Sequence, residues 1–192
     1  MRERSSPMAQ FGRNQTLNNE PAITMNVDQH LRAYLESGQE AAQLDQVLSS
    51  PTERHQIYRA IARQPPRPYR LLLLRLLDRE IAFRNALWDR SAEFDEESAE
   101  GIFHCAYLLS LCGEPADTKA LWKAQYLNQD VGELEVEYFI GAGVPETLAF
   151  LTHENDETSQ EIAGFIRDSL KQPIETQWLA SWRASRHAWF DS

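Results

Sequence analysis

The stretch SPTERHQIYRAIARQPPRPYRLLLLRLLDREIAFRNALW, residues 50 to 88, contains two helices and the stop between them. Ser50 is a helix-capping residue. Pro51 suits the first helical position, where its missing N–H costs nothing, and Glu53 follows the cap by three residues, the spacing of a capping box. The helix that follows places Ile57, Tyr58 and Ile61 on one face and is expected to expose Arg54, Arg59 and Arg63. Pro65, Pro66 and Pro68 end it, because proline lacks the amide donor and disfavours helical backbone in the residue before it. From Tyr69 to Trp88 the residues Leu72, Leu73, Leu76, Leu77, Ile81, Ala86 and Leu87 recur at helical spacing, and Leu71 and Leu74 widen the stripe. This predicts a long, well-buried central helix.

The same grammar extends in both directions. Upstream, Asp28 can cap a helix carrying Leu31, Tyr34 and Leu35 that ends at Gly38, and Ala41, Leu44, Val47 and Leu48 continue the apolar pattern. Downstream, a helix runs through Ile102, Phe103, Ala106, Tyr107, Leu109 and Leu111 to Gly113, and another bears Ala120, Leu121, Trp122 and Ala124. Residues 131 to 140 read partly as strand alternation; a helix over Glu133 to Ile140 is preferred, turning at Gly141-Ala142-Gly143 before Pro145 opens the next. Helices at Ser159 to Leu170 and Ile174 to Trp189 complete the chain. The expectation is an all-α fold of about eight antiparallel helices, either a compact bundle or a short irregular HEAT-like array of helical hairpins.

At 192 residues and 42% hydrophobic, one domain over residues 26–192 is expected. Residues 1–25 are poor in apolar side chains and read as a disordered leader, with Met8 and Met25 leaving alternative starts open. No apolar run is long enough to cross a bilayer, and the arginines near the start precede no apolar signal region. With two cysteines, a reduced cytoplasmic setting is expected, without membrane association.

Charge is sorted along the chain. Residues 51 to 90 hold nine arginines, no lysine and four acids, whereas residues 91 to 175 hold eighteen acids and four bases, net +5 against −14. The arginine block invites a nucleic-acid reading, but a pI near 5.0 and a net charge of −10 oppose phosphate binding. Pairing of the arginines with the acidic half is the expectation, since the planar guanidinium fork takes carboxylates bidentately.

Catalytic and metal chemistry find no pattern to stand on. His104 and Cys105 are neighbours on a helix, and His153-Glu154 lacks the second histidine of a zinc-protease motif. Cys105 and Cys112 share a face but stand roughly 10 Å apart along a helix, beyond the approximately 7 Å limit for a disulfide. They read as buried structural thiols. A nucleophile built from Cys105 with His104, His55 or His153 would need convergence that spacing does not supply. No catalytic residue, metal or cofactor is assigned.

The segments Ile102-Phe103-His104-Cys105-Ala106-Tyr107-Leu108-Leu109, Ala120-Leu121-Trp122-Lys123-Ala124 and Tyr138 through Leu151 resemble bacterial all-helical proteins of the toxin-immunity kind, over roughly residues 100 to 151. The resemblance implies a small cytoplasmic protein that binds and neutralises a cognate toxin. It carries no site residues with it. Read beside the −14 block, it leads to a non-enzymatic inhibitor that covers the toxin's basic site with acids, the candidates being Asp95, Glu96, Glu97, Glu100, Glu133, Glu135 and Glu137. The alternative is a helical-repeat scaffold that binds a peptide or self-associates through the C-terminal aromatic helix, where Trp178, Trp182 and Trp189 share a face.

Overall fold

Helix α4, Gly101–Leu111, is apolar all round and stands at the centre of the molecule, with Ile102, Cys105, Ala106, Leu108 and Leu109 fully withdrawn from solvent. A helix without a polar face can be stable only when other elements surround it. The computed structural model describes residues 27–37, 48–93, 100–128, 133–171 and 177–190. Among these, the elements are α1 (Val27–Ser37), α2 (Pro51–Ala62), a 3₁₀ turn (Arg67–Tyr69), α3 (Arg70–Trp88), α4, α5 (Asp117–Trp122), α6 (Val136–Phe139), α7 (Val144–Glu154), α8 (Glu157–Ser169) and α9 (Trp178–Phe190), with no strand among the described residues. The leader at 1–25, the apolar residues Ala41, Leu44 and Val47, Gly38, and the segment 174–176 lie outside the described residues.

The fold is all-α, in keeping with the helical periodicities. Helices α2, α3, α5 and α6 pack against α4; α1 lies on α2, and the α7–α8 pair closes the far side through α5 and α6. Local signals set most boundaries. Ser50 caps α2, its hydroxyl accepting from the Glu53 amide at 3.4 Å, and Pro51 occupies the first turn. Asp156 caps α8 by accepting from the Ser159 amide at 2.9 Å, and Asn155 ends α7 in the left-handed conformation that asparagine tolerates. Leu72, Leu73, Leu76 and Leu77 fill the α3–α4 seam with at most 1% exposure, each contributing about 1.5–3 kcal/mol by burial.

Four expectations change. The centre of the fold is α4; α3 buries one side, leaving Leu71 64% exposed. Arg54, expected in solvent, is among the most buried side chains. The helix expected from Glu133 shortens to Val136–Phe139, because the Leu134 amide donates to the Gln125 side-chain oxygen at 2.7 Å, and this tertiary bond holds the strand-like entry outside the helix. Trp189 points outward at 59% exposure, and its neighbour Phe190 is the buried residue.

Candidate functional site

Two polar assemblies stand out, one at the core and one under the C-terminal helix. In the first, α2 and α3 face each other through a buried ion pair. The Arg54 Nε donates to Glu80 Oε1 at 2.7 Å and its second arm to Oε2 at 3.3 Å, while the remaining arm donates to the carbonyls of Leu48 and Ser49. Tyr58 donates its hydroxyl to the same carboxylate at 2.8 Å. Desolvation opposes the charge on Arg54, but the bonds to Glu80 outweigh it and hold its pKa above the ordinary value. The carboxylate also abuts Gly101 in the first turn of α4, where a Cβ would stand 2.8 Å from its oxygens. That end of the helix dipole favours negative charge. The site is satisfied and closed, which fits a structural role. The periodicity carried the signal: Arg54 lies at the helical spacing of Ile57, Tyr58 and Ile61, and Glu80 and Arg84 continue the Leu73, Leu76, Leu77 stripe.

The second assembly joins the two candidate groups that the charge and aromatic patterns kept separate. Glu135, at the start of α6, accepts from the Trp182 indole at 2.5 Å and from Arg186 at 2.6 Å, both on α9. Burial alone would raise the Glu135 pKa, but the bonds from Arg186 and Trp182 hold it below the usual carboxylate range. Glu137 is buried, with 8% exposure, and its pKa is raised, chiefly by burial, although Trp178 bonds it. Arg186 also lies over the rings of Tyr138 and Trp182 at 5.8 Å. Two backbone contacts complete the clamp: Tyr107 donates to the Arg183 carbonyl at 3.1 Å, and Arg183 donates to the Gly141 carbonyl at 3.0 Å. Trp178 and Trp182 therefore turn toward the molecule's own acids.

Of the remaining candidate acids, Glu133 is exposed, Glu100 is half-buried beside the start of α4, and Asp95, Glu96 and Glu97 lie outside the described residues. The expected pairing across the charge boundary is present in Arg70, which binds Asp117 bidentately at 2.6–2.9 Å. The Asp117 pKa nevertheless stays raised, since its burial outweighs the help from Arg70.

The α7–α8 hairpin carries acids that sequence reasoning did not single out. Glu146, Glu154, Asp156, Glu157, Glu161 and Asp168 are all exposed. Lys119 bridges Glu154 and Asp156 at 2.9 and 2.5 Å, and Lys171 pairs with Asp168. Glu146, Glu157 and Glu161 face solvent on the same hairpin.

Nucleophilic chemistry gains nothing from the cysteines. Both are free thiols in the core, Cys105 donating to the Leu73 carbonyl and Cys112 to the Leu108 carbonyl. Burial raises the Cys105 pKa well above the ordinary value and pushes Cys112 up to about 12, so both stay protonated and unreactive at neutral pH. No group of three or more metal-ligating side chains converges among the described residues. Comparison of the chain with protein-family models, curated proteins and solved structures finds no match.

The clamp is half-exposed, so its electrostatic value is modest. Glu135→Gln is expected to cost about 0.5–1 kcal/mol and to raise hydrogen exchange in residues 178–190 more than in α4. Equal increases in both helices would mean that α9 is not held by this contact.

Proposed function

We propose that the chain is a non-enzymatic protein-binding protein, an immunity-type inhibitor that works in the bacterial cytoplasm and neutralises a cognate toxin by setting an acidic surface over its basic site. The observation that supports this reading most is the fate of the sorted charge. Arg54 and Arg84 of the arginine block are buried and Arg70 is tied to Asp117, while the other six arginines of that block are exposed; Glu133 and the six acids of the α7–α8 hairpin are also at the surface, three of the six paired with Lys119 or Lys171. Between Val144 and Ser169 the sequence has one Lys or Arg, Arg167, with Lys171 just beyond. Such a field raises the association rate of a basic partner by about 10 to 10³ and weakens with salt. No helix among the described residues is long and apolar enough to cross a membrane.

The engagement of Glu135 and Glu137 by α9 moves the candidate surface away from the 135–137 pair. The acids that remain as candidates are Glu100 and Glu133, together with Asp95, Glu96 and Glu97 outside the described residues, and, as a second group, Glu146, Glu157 and Glu161 on the hairpin. The scaffold alternative draws less support, since Trp178 and Trp182 are turned inward.

The test begins with the product of the adjacent coding sequence, where an immunity protein's toxin is expected. Relative to the wild-type chain, its association rate should fall by about 10-fold or more when one of the two acid groups is changed to lysine, with a shallower salt dependence. An unchanged rate and salt slope for both sets of substitutions would overturn acidic recognition.

A further inference from the structure

The C-terminal helix is anchored on a histidine. His104, at the end of the first turn of α4, has no exposure to solvent, and its ring lies flat on Phe190, the last residue of α9, with centroids 4.3 Å apart and planes within 7°. His55 from α2 meets the same ring edge-on at 5.7 Å, and Tyr58 approaches at 5.4 Å. Tyr107 completes the seat by touching Phe190 at 5.5 Å. Neither ring nitrogen of His104 has a hydrogen-bond partner among the described residues.

We propose that α9 is a proton-sensitive strap: protonation of His104 lifts Phe190 from its seat and releases the helix. The surroundings carry the argument. Among the described residues, the titratable and charged groups that face His104 are His55, Tyr58 and Arg59 from α2 and His187 from α9. Tyr58 already donates to Glu80, so a proton arriving on His104 meets burial and the nearby guanidinium of Arg59 with no acceptor at either ring nitrogen. Burial first, then His55, Arg59 and His187, lower its pKa to about 3 while the helix is docked.

Release restores water to the ring and returns it toward the ordinary histidine value of about 6.5. Above that pH the ring is neutral in both states and docking is unaffected. Below it the released state binds the proton and the docked state does not, so docking weakens about tenfold per pH unit until the docked pKa is reached. Between pH 7.5 and pH 5 the docking equilibrium should fall about thirtyfold. Besides Phe190 the strap is held by the half-exposed Glu135 clamp, the contacts of Arg183, the Trp178 bond to Glu137 and the half-buried Trp178, Leu179 and Trp182 on the core; most of its other residues are exposed, which suits it to local opening. Its departure uncovers Tyr107 and Tyr138 and frees the Glu135 carboxylate, a response to acid that stands apart from the partner reading.

The test is hydrogen exchange on the full chain at pH 7.5 and pH 5, corrected for intrinsic rates. Protection of residues 178–190 should drop about thirtyfold relative to residues 101–111. His104→Phe keeps a flat ring on Phe190 and leaves the other ionisable side chains at this seam, His55, His187, Glu135 and Glu137 among them, in place; the drop should shrink to a few-fold. Unchanged α9 protection in the wild type, or a full drop in the variant, would overturn the proposal. If His104→Phe fails to fold by circular dichroism, the wild-type histidine NMR titration decides. The His104 ring should stay neutral while α9 stays protected, and a midpoint near 6.5 with the helix still docked would refute it.

Discussion

Replacing Glu80 with alanine is expected to destabilise the fold by about 3–5 kcal/mol, the cost of leaving a buried charge without its partner. Arg54 is 2% exposed and cannot turn to water; its Nε and one terminal nitrogen would lose their acceptors, and so would the Tyr58 hydroxyl. The asymmetry is the informative part. Removing both charges together, as in Arg54→Met with Glu80→Leu, should cost much less than the two single changes summed, because no ion is then left desolvated. Glu80→Gln separates the charge from the shape, since the amide still offers one acceptor to Tyr58 or Arg54, and it should fall between the two. Urea denaturation at neutral pH measures all three. A cost below about 1 kcal/mol for Glu80→Ala would mean that the pair behaves like a surface bridge and that α2 and α3 are held by apolar packing alone.

Gly141→Ala should be at least as damaging, on the order of 4 kcal/mol or more. A Cβ at this position would overlap the Ser110 carbonyl oxygen and stand 2.7 Å from its carbonyl carbon. Both atoms belong to the backbone of the central helix, so no rotamer change relieves the contact; α4 and the α6–α7 turn would have to separate. The Gly141 carbonyl also accepts from Arg183, so the same displacement loosens α9. The measurement is the urea midpoint together with exchange protection in α9. A cost under about 1 kcal/mol would require the turn to shift freely, against the tight seat described. Gly164→Ala on α8 is the matched control, since no atom lies within 4 Å of its added carbon, and it should be neutral or stabilising by up to about 1 kcal/mol.

These two sites also mark how far the residues could be read in advance. Gly141 reads from sequence as part of an ordinary helix-joining turn; the reason it must be glycine is a carbonyl thirty-one positions away. Arg54 carries a signal of burial in its spacing. Its spacing from Ile57, Tyr58 and Ile61 places it on the buried face, but arginine is so seldom fully buried without a partner that pattern alone points it to solvent. Glu80, on the next helix, supplies that partner. For the acids the difficulty was different. Glu133, Glu135 and Glu137 are close in sequence and similar in charge, yet one is exposed, one is clamped by Arg186 and Trp182, and one is buried. Nothing local distinguishes them, because the distinction is made by side chains 47 and 51 positions downstream of Glu135.

The sequence by itself determined the helical character, the Ser50 start, the proline stop, the glycine-bearing turn before Pro145 and the sorting of charge, since each follows from backbone preference or periodicity within a few residues. Only the tertiary structure decided that α4 is the centre, that Arg54 and Glu80 pair in the core, and that His104 is the seat of Phe190. It also decided that the acidic and aromatic groups meet each other. Short-range sterics and capping act between neighbours and can be read from order alone. Burial, ion pairing and desolvation act between residues that meet only when the helices pack.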